Sequence, residues 1–426
     1  MNRNKKTSKN TATHKRDEKP PPKLSNLPSS MNCSTDSMES GQLKPNPVLQ
    51  MKSPNKVRSL IGLDGESDMD DEPGEQTQNG KRLALISRKP QPQKGKHKAD
   101  SNSNESLLDN AQQQQQMERF KLLFKDYANR TQKIGFSQIE EEYASLPGLP
   151  NVDECKQFYH SVNARKNRYS NIPCLDVSRV KLHFLPKNEP GHDYIHANYV
   201  TSRYLRNQKY ILTQGPKTRT VVDFWRMVWQ ERTTTIVMLC QFQENNREKC
   251  VEYFPLNAEN VFRFDGGFNL RFIETTRSRT VVTTKLRLEY RGETRNIKHL
   301  QWTEWPDYHI PDSSEVILKL LKKIREKKTP PVIHCAAGVG RSGTFMAIEI
   351  ALMQINNFYE PPDIRRIVEE LRIGGRCLAV QTVQQYMIIR KVVLDFGATN
   401  RLIQMADYTN YSSLTQNQAA QSPATY

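Results

Sequence analysis

The first 119 positions hold no aromatic side chain: the chain's 15 Phe, 16 Tyr and 4 Trp all lie at or after Phe120. A stretch without large apolar side chains cannot close a core of its own. Long apolar runs are missing as well. No segment approaches the roughly 18 consecutive apolar residues of a membrane span. Met1 is followed by Asn2, Arg3, Asn4, Lys5 and Lys6 instead of the apolar run of a secretory leader. Asn2 in place of glycine excludes N-myristoylation, and the ending Ser422 to Tyr426 fits no prenylation box. Cysteine is scarce and unpaired: the 7 cysteines, at 33, 155, 174, 240, 250, 335 and 377, form no Cys-x-x-Cys pair. An odd count without paired spacing argues against both a disulfide framework and a zinc site. These absences lead us to expect a cytoplasmic protein with free thiols, no membrane span, no metal and no cofactor; weak basic clusters leave nuclear import open.

The charge is strongly positive, +17 over 426 residues, yet no dense tract carries it. It favours acidic partners and anionic substrates in general without specifying nucleic acid, which is not expected as a partner. Residues 1–116 read as a disordered, basic and polar arm. They contain Pro20-Pro21-Pro22, an acidic patch from Asp64 to Glu75, a basic stretch from Lys81 to Lys98 and five glutamines from Gln112. Nothing in the arm names its partner. Residues 117–400 read as one globular domain, within the size a single core supports, and 401–426 as a flexible, Ser/Thr/Gln/Asn-rich tail.

Order is expected to begin at Met117, where Phe120, Leu123, Phe124 and Tyr127 recur at helical spacing. A second helix is predicted from a capping box, Ser137 with Glu140, ahead of Ile139, Tyr143 and Leu146. From Val180 the pattern turns to β-branched and aromatic runs: 180–185, 194–200, 209–212, 234–239, 271–275, 280–290 and 296–302. Helical stretches fall at 221–230, 313–327, 343–356 and 363–371. The fold class that follows is α/β (α+β), a twisted mixed β-sheet flanked by helices.

The chemistry concentrates in the run Pro330 to Phe345 (PPVIHCAAGVGRSGTF). An apolar strand ends at His334, a loop turns, and a helix begins near Ser342, so backbone N–H groups and a helix N-terminus converge as an anion nest. Gly338 and Gly340 allow close approach, and Arg341 offers a planar fork for two phosphate oxygens. Cys335 enters this field at its start, where its thiolate is favoured. The usual fate of an intracellular cysteine is a buried, inert thiol, but Cys-x5-Arg-Ser at a strand–loop–helix junction speaks for a nucleophile. Gly338 to Gly343 also fits G-x-G-x-x-G. No second strand with an acidic end follows about 20 residues on, and no Lys-Ser or Lys-Thr follows Gly343, so neither dinucleotide nor Walker-type binding is expected.

With these residues in view, the chain resembles the cysteine-dependent protein tyrosine phosphatases of the intracellular, non-receptor type over about residues 120 to 395. The resemblance rests on several motifs in order: Lys166–Tyr169 (KNRY), Asp193–Tyr199 (DYIHANY), Tyr210–Pro216 (YILTQGP), Asp223–Trp229 (DFWRMVW), Lys249 and Cys250 with Tyr253–Pro255 (YFP), Trp305–Asp307 (WPD) and Val380–Tyr386 (VQTVQQY). It implies that Cys335 is the nucleophile, that Arg341 and the amides of Ala336, Ala337, Gly338, Val339 and Gly340 hold the phosphate, and that Asp307 is the general acid and then base. It further implies that Gln381 and Gln385 place the hydrolytic water, that Ser342 or Thr344 assists the departing thiolate, that Tyr169 stacks on the substrate ring, and that Lys249 stands at the site. Phosphotyrosine-containing proteins are the implied partners.

Taken singly, Trp-Pro-Asp would be a turn, Thr382 an N-cap, Tyr169 a core or rim side chain, and Lys249 a solvated lysine. Their joint occurrence carries the functional reading. The family's aspartate two residues after the stacking tyrosine is here Asn171, the glycine two after the acid is His309, and a further glycine is Leu378. Weaker peptide grip, a stiffer acid loop and no secondary phosphotyrosine pocket, with Arg372 or Ile373 at the second basic position, are therefore expected. A binding module without chemistry is disfavoured because Cys335, Arg341, Asp307 and Gln381 are all present. A phosphoserine or phosphoinositide phosphatase is the alternative enzyme.

Overall fold

The computed structural model describes residues 101–421 apart from 185–189, 265, 312 and 326, with side chains from 111 to 419. The expected disordered arm falls, for residues 1–100, outside this range. The helix predicted from Met117 in fact starts at Ser101 and runs to Thr131 (α1). The glutamine run contains no glycine or proline, and glutamine is a good helix former, so nothing breaks the helix before Phe120. Helix α2 spans Phe136–Ala144, but its N-cap is Gly135, with no side-chain cap bond. Ser137 lies inside the first turn, so the predicted capping box does not form.

Among the described residues nine strands make one sheet. They are β1 (Arg179–Lys181), β2 (Tyr194–Val200), β3 (Tyr210–Thr213), β4 (Thr235–Met238), β7 (Val261–Phe264), β8 (Phe268–Arg277), β9 (Val281–Tyr290), β10 (Glu293–Trp302) and β11 (Val332–His334), while β5 (Gln243–Glu244) and β6 (Arg247–Glu248) form a separate hairpin. The order is β1-β2-β3-β11-β4-β10-β9-β8-β7. The pairs β3–β11, β11–β4 and β4–β10 are parallel and the others antiparallel. Expectation and structure agree on a mixed sheet with helices. Strands β3, β4 and β11 are buried throughout, as a doubly covered sheet centre requires, whereas β10 is buried chiefly from Ile297 on. The antiparallel β9 instead alternates buried Thr284, Leu286 and Leu288 with more exposed neighbours.

Among the described residues the longer helices that follow, after a single α-turn at Lys156–Tyr159, are α3 (Val221–Gln230), α4 (Ser314–Ile324), α5 (Arg341–Phe358), α6 (Ile364–Glu370), α7 (Val383–Thr399) and α8 (Thr409–Gln421). Helix α7 is the hub on which α1, α2, α4, α5 and α8 pack. The tail expected to be flexible from 401 is therefore ordered as far as Gln421. Leu402, Ile403, Tyr408 and Tyr411 are buried, Tyr408 donates to Asp395 at 2.9 Å, and Tyr411 donates to the Met387 carbonyl at 3.1 Å. Its polar composition hid two tyrosines spaced to reach α7; residues 422–426 lie outside the described range. Among the described residues no helix is long and apolar enough to cross a membrane.

Candidate active site

In an open sheet, loops after the carboxyl ends of adjacent parallel strands meet at one crevice. Here four of them do: Gln214–Pro216 after β3, the β5–β6 hairpin after β4, Thr303–His309 after β10, and the loop from Cys335 after β11. The last loop is bound to its neighbours by backbone hydrogen bonds, Leu239 to the His334 carbonyl at 2.8 Å and Gly215 to the Ala336 carbonyl at 2.9 Å. Gly338 turns it with φ +73°, and a Cβ there would lie 2.2 Å from the Thr213 carbonyl oxygen, so only glycine fits. Buried Arg376 draws the carbonyls of Ala337 (2.8 Å) and Gly338 (3.3 Å) outward. The Gly338 amide in turn points at Cys335 Sγ, 3.2 Å away. Nothing in the sequence spacing marks Arg376 for this work.

Cys335 is 3% exposed, and Arg341, the first residue of α5, is 1% exposed. The Arg341 guanidinium pairs bidentately with Glu244 of β5 (2.7 and 2.9 Å), donates to the Trp305 carbonyl (2.9 Å) and reaches Asp307 Oδ1 (3.0 Å). Lys249 Nζ holds the other Asp307 oxygen at 2.5 Å. The Thr303–His309 loop thus lies against the loop that follows Cys335. Glu244 escaped the sequence reading because it sits in a polar hairpin turn, where a glutamate is ordinarily solvated.

A cavity of about 100 Å³ brings together Tyr169, Asn171, Ile172, Asp307, Tyr308, Cys335, Ala336, Ala337, Gly340, Arg341 and Gln381. Of the other expected residues, Gly338 and Val339 lie in the loop itself, and Lys249 is paired with Asp307. Gln385 stands behind Gln381: its Oε1 accepts from the Gln381 amide at 2.9 Å, while its buried Nε2 has no partner. A Cβ on Gly340 would meet both amides, at 2.9 and 3.1 Å, so this glycine makes room for them. Thr344 Oγ1 is committed to the Gly340 carbonyl (2.9 Å), whereas the buried Ser342 Oγ has no partner.

Tyr169 is held by its own motif. Lys166 bonds Asp223 at 2.8 Å and the Tyr194 carbonyl at 3.1 Å, and Tyr194 donates to Asn167 at 2.6 Å. Burial pushes the Tyr169 phenol up to about 12. Asn171 is exposed at the rim. In the acid loop the left-handed residue is Tyr308, φ +62°, and not His309. The His309 carbonyl accepts from Trp305 Nε1 at 3.0 Å.

Behind Cys335 lies a buried relay: Tyr253 Oη sits 2.6 Å from His299 Nε2 and 2.8 Å from His334 Nε2, and His334 Nδ1 faces the Cys335 carbonyl at 3.2 Å. Desolvation pulls His334 down to about 4 and His299 well below the usual imidazole range. No group of three His, Cys, Asp or Glu side chains among the described residues could hold a metal ion.

The profile of the protein-tyrosine phosphatase family matches residues 163–395, and the chain belongs to that family. It is 40% identical over 240 residues to the tyrosine-protein phosphatase Lar-like of Caenorhabditis elegans, covering 55% of this chain and 11% of that protein. It is 36% identical over 260 residues to human tyrosine-protein phosphatase non-receptor type 7, covering 59% of this chain and 69% of the relative. With the human phosphatidylinositol phosphatase PTPRQ it shares 34% identity over 281 residues, 65% of this chain and 12% of that protein. The chain thus spans about a tenth of the length of the first and third of these relatives.

Proposed function

We propose that the domain hydrolyses phosphotyrosine in proteins through a cysteinyl phosphate, as an intracellular, non-receptor enzyme that needs no cofactor. The observation that supports this most is the convergence of Cys335, Arg341 and Asp307 on one cavity walled by Tyr169. In the first step the Cys335 thiolate forms an S–P bond as the P–O bond to the phenol breaks, and Asp307 gives the phenolate its proton. Arg341 exchanges its closed-loop contacts for two equatorial oxygens of the phosphoryl group, and the loop amides hold the rest. In the second step water attacks phosphorus, its proton passes to the Asp307 carboxylate, and the S–P bond breaks to return the thiolate. Gln381, propped by Gln385, orients that water, and Ser342 Oγ meets the departing sulfur.

Cys335→Ser should abolish turnover while phosphotyrosyl peptide still binds; activity within about tenfold of the parent would overturn the assignment. The phosphoinositide alternative draws on the name of one relative. Turnover of vesicle-borne phosphoinositides well above that of phosphotyrosyl peptides would favour it, whereas the aromatic wall of Tyr169 favours the longer phenyl phosphate.

A further inference from the structure

The segment leading into Gln381 has an unusual backbone. Leu378 and Val380 both lie in the left-handed region, φ +57° and +64°, and for a β-branched valine this is a genuine outlier. Such conformations persist only where the surroundings over-determine them. The surroundings here are dominated by one side chain. Arg372, 8% exposed, donates from Nε to the Ala379 carbonyl (2.9 Å), from Nη2 to the Val380 carbonyl (2.8 Å) and from Nη1 to the Pro147 carbonyl (2.9 Å). No carboxylate pairs with it among the described residues. A buried cation spent on backbone carbonyls alone forgoes the ion pair that would offset its desolvation. Here its fork instead fixes two consecutive peptide planes just before Gln381.

Arg372 reaches them because Leu371–Gly375 forms a π turn, closed by the Arg376 amide on the Leu371 carbonyl at 2.7 Å. Such turns absorb one extra residue in a helix and are frequent at functional sites. The clamp is completed from α2. Tyr143 Oη donates to the same Val380 carbonyl at 3.2 Å, and its ring lies 5.4 Å from the Arg372 guanidinium. Both Tyr143 and Pro147 precede residue 163, where the family match begins.

We propose that Arg372 is the positioning residue that holds residues 378–380 in their left-handed course and thereby sets Gln381 for hydrolysis of the phosphocysteine. This rests on the two-step reading above, and it predicts an effect on the second step alone. The ratio kcat/KM reports the steps through cleavage of the substrate ester, whereas kcat is also limited by hydrolysis of the intermediate. In the full chain, Arg372→Met should give a pre-steady-state burst of about one p-nitrophenolate per enzyme from p-nitrophenyl phosphate. The following steady state should be slower by about tenfold, with kcat and KM falling together and kcat/KM within about twofold of the parent. Arg372→Lys, which can satisfy one carbonyl, should fall between. If Arg372→Met does not fold, Tyr143→Phe removes one of the two donors on the Val380 carbonyl and should move kcat and KM in the same direction by a smaller factor.

A fall in kcat at constant KM, as a loss of active fraction gives, or no change in either parameter, would overturn the inference. Failure to trap a phosphocysteine in the parent protein would overturn the underlying reading instead.

Discussion

His196, His299 and His334 are each exposed by 2% or less, and burial holds each of them neutral. His196 falls to about 3, by desolvation first and then by the Arg376 guanidinium, whose Nη2 donates to its Nδ1 at 2.8 Å. His334 falls to about 4, and His299 lies well below its ordinary value. In the unfolded chain all three return to about 6.5. A folded pKa below the unfolded one means the unfolded state binds more protons, so stability is full above about pH 6.5 and is lost as pH falls toward the folded values. Between pH 7.5 and 5.0 His196 and His334 should each cost about 2 kcal/mol, as 1.4 kcal/mol per unit over the 1.5 units below 6.5. That figure does not depend on how far below 5 their folded values lie. The two rings together give about 4 kcal/mol, a large share of the 5–15 kcal/mol that typically separates folded from unfolded, and His299 acts in the same direction. Ordinary carboxylates stay ionised over this window, so histidines dominate the slope. Urea unfolding at the two pH values should show the loss, and ring-carbon NMR should show His196 and His334 not titrating above pH 5. Equal stability at both pH values, or titration of all nine histidines near 6.5, would refute the reasoning.

The remaining predictions concern the site. Asp307→Asn should slow aryl phosphates with poor leaving groups far more than those with good ones, since only the former need a proton; an equal drop would contradict its role as acid. Gly338→Ala should destabilise the domain by at least about 2 kcal/mol, measured by denaturant unfolding, because the new methyl meets the Thr213 carbonyl and its backbone is left-handed. Hydrogen peroxide should inactivate the enzyme reversibly by dithiothreitol, with phosphate or vanadate protecting. Mass mapping should find Cys335 modified before Cys377, whose thiol burial pushes up to about 12, and before Cys240 or Cys250, which burial also raises.

The phosphate loop was legible because its chemistry is local: strand, turn and helix follow one another within sixteen residues, and period and residue type suffice to place Cys335 beneath Arg341. Most strands were legible for the same reason, through β-branched and aromatic runs, but Val261–Phe264 and the short β5–β6 hairpin were not read. Glu244, Arg372 and Arg376 were not. Each acts across more than thirty residues of sequence except where Arg372 turns back on Ala379 and Val380, and an arginine or glutamate in a polar stretch gives no sign that it will be buried. Ser137 shows the opposite error, a capping signature displaced by two residues because Gly135 already supplied the entry to the helix.

Asp395 accepts hydrogen bonds from Ser314 of α4, from Lys391 and from Tyr408, and Gly397 sits where a Cβ would lie 2.6 Å from the Phe124 ring of α1. The span of the family match, 163–395, is therefore narrower than the set of residues that pack together. An excised piece with those limits would keep the Asp395 carboxylate without its Tyr408 partner, and α7 without Phe124 and Tyr411. It would also hold Arg372 without Pro147. The packed unit thus runs from within α1 to the end of α8, and anyone cutting the chain must follow that border.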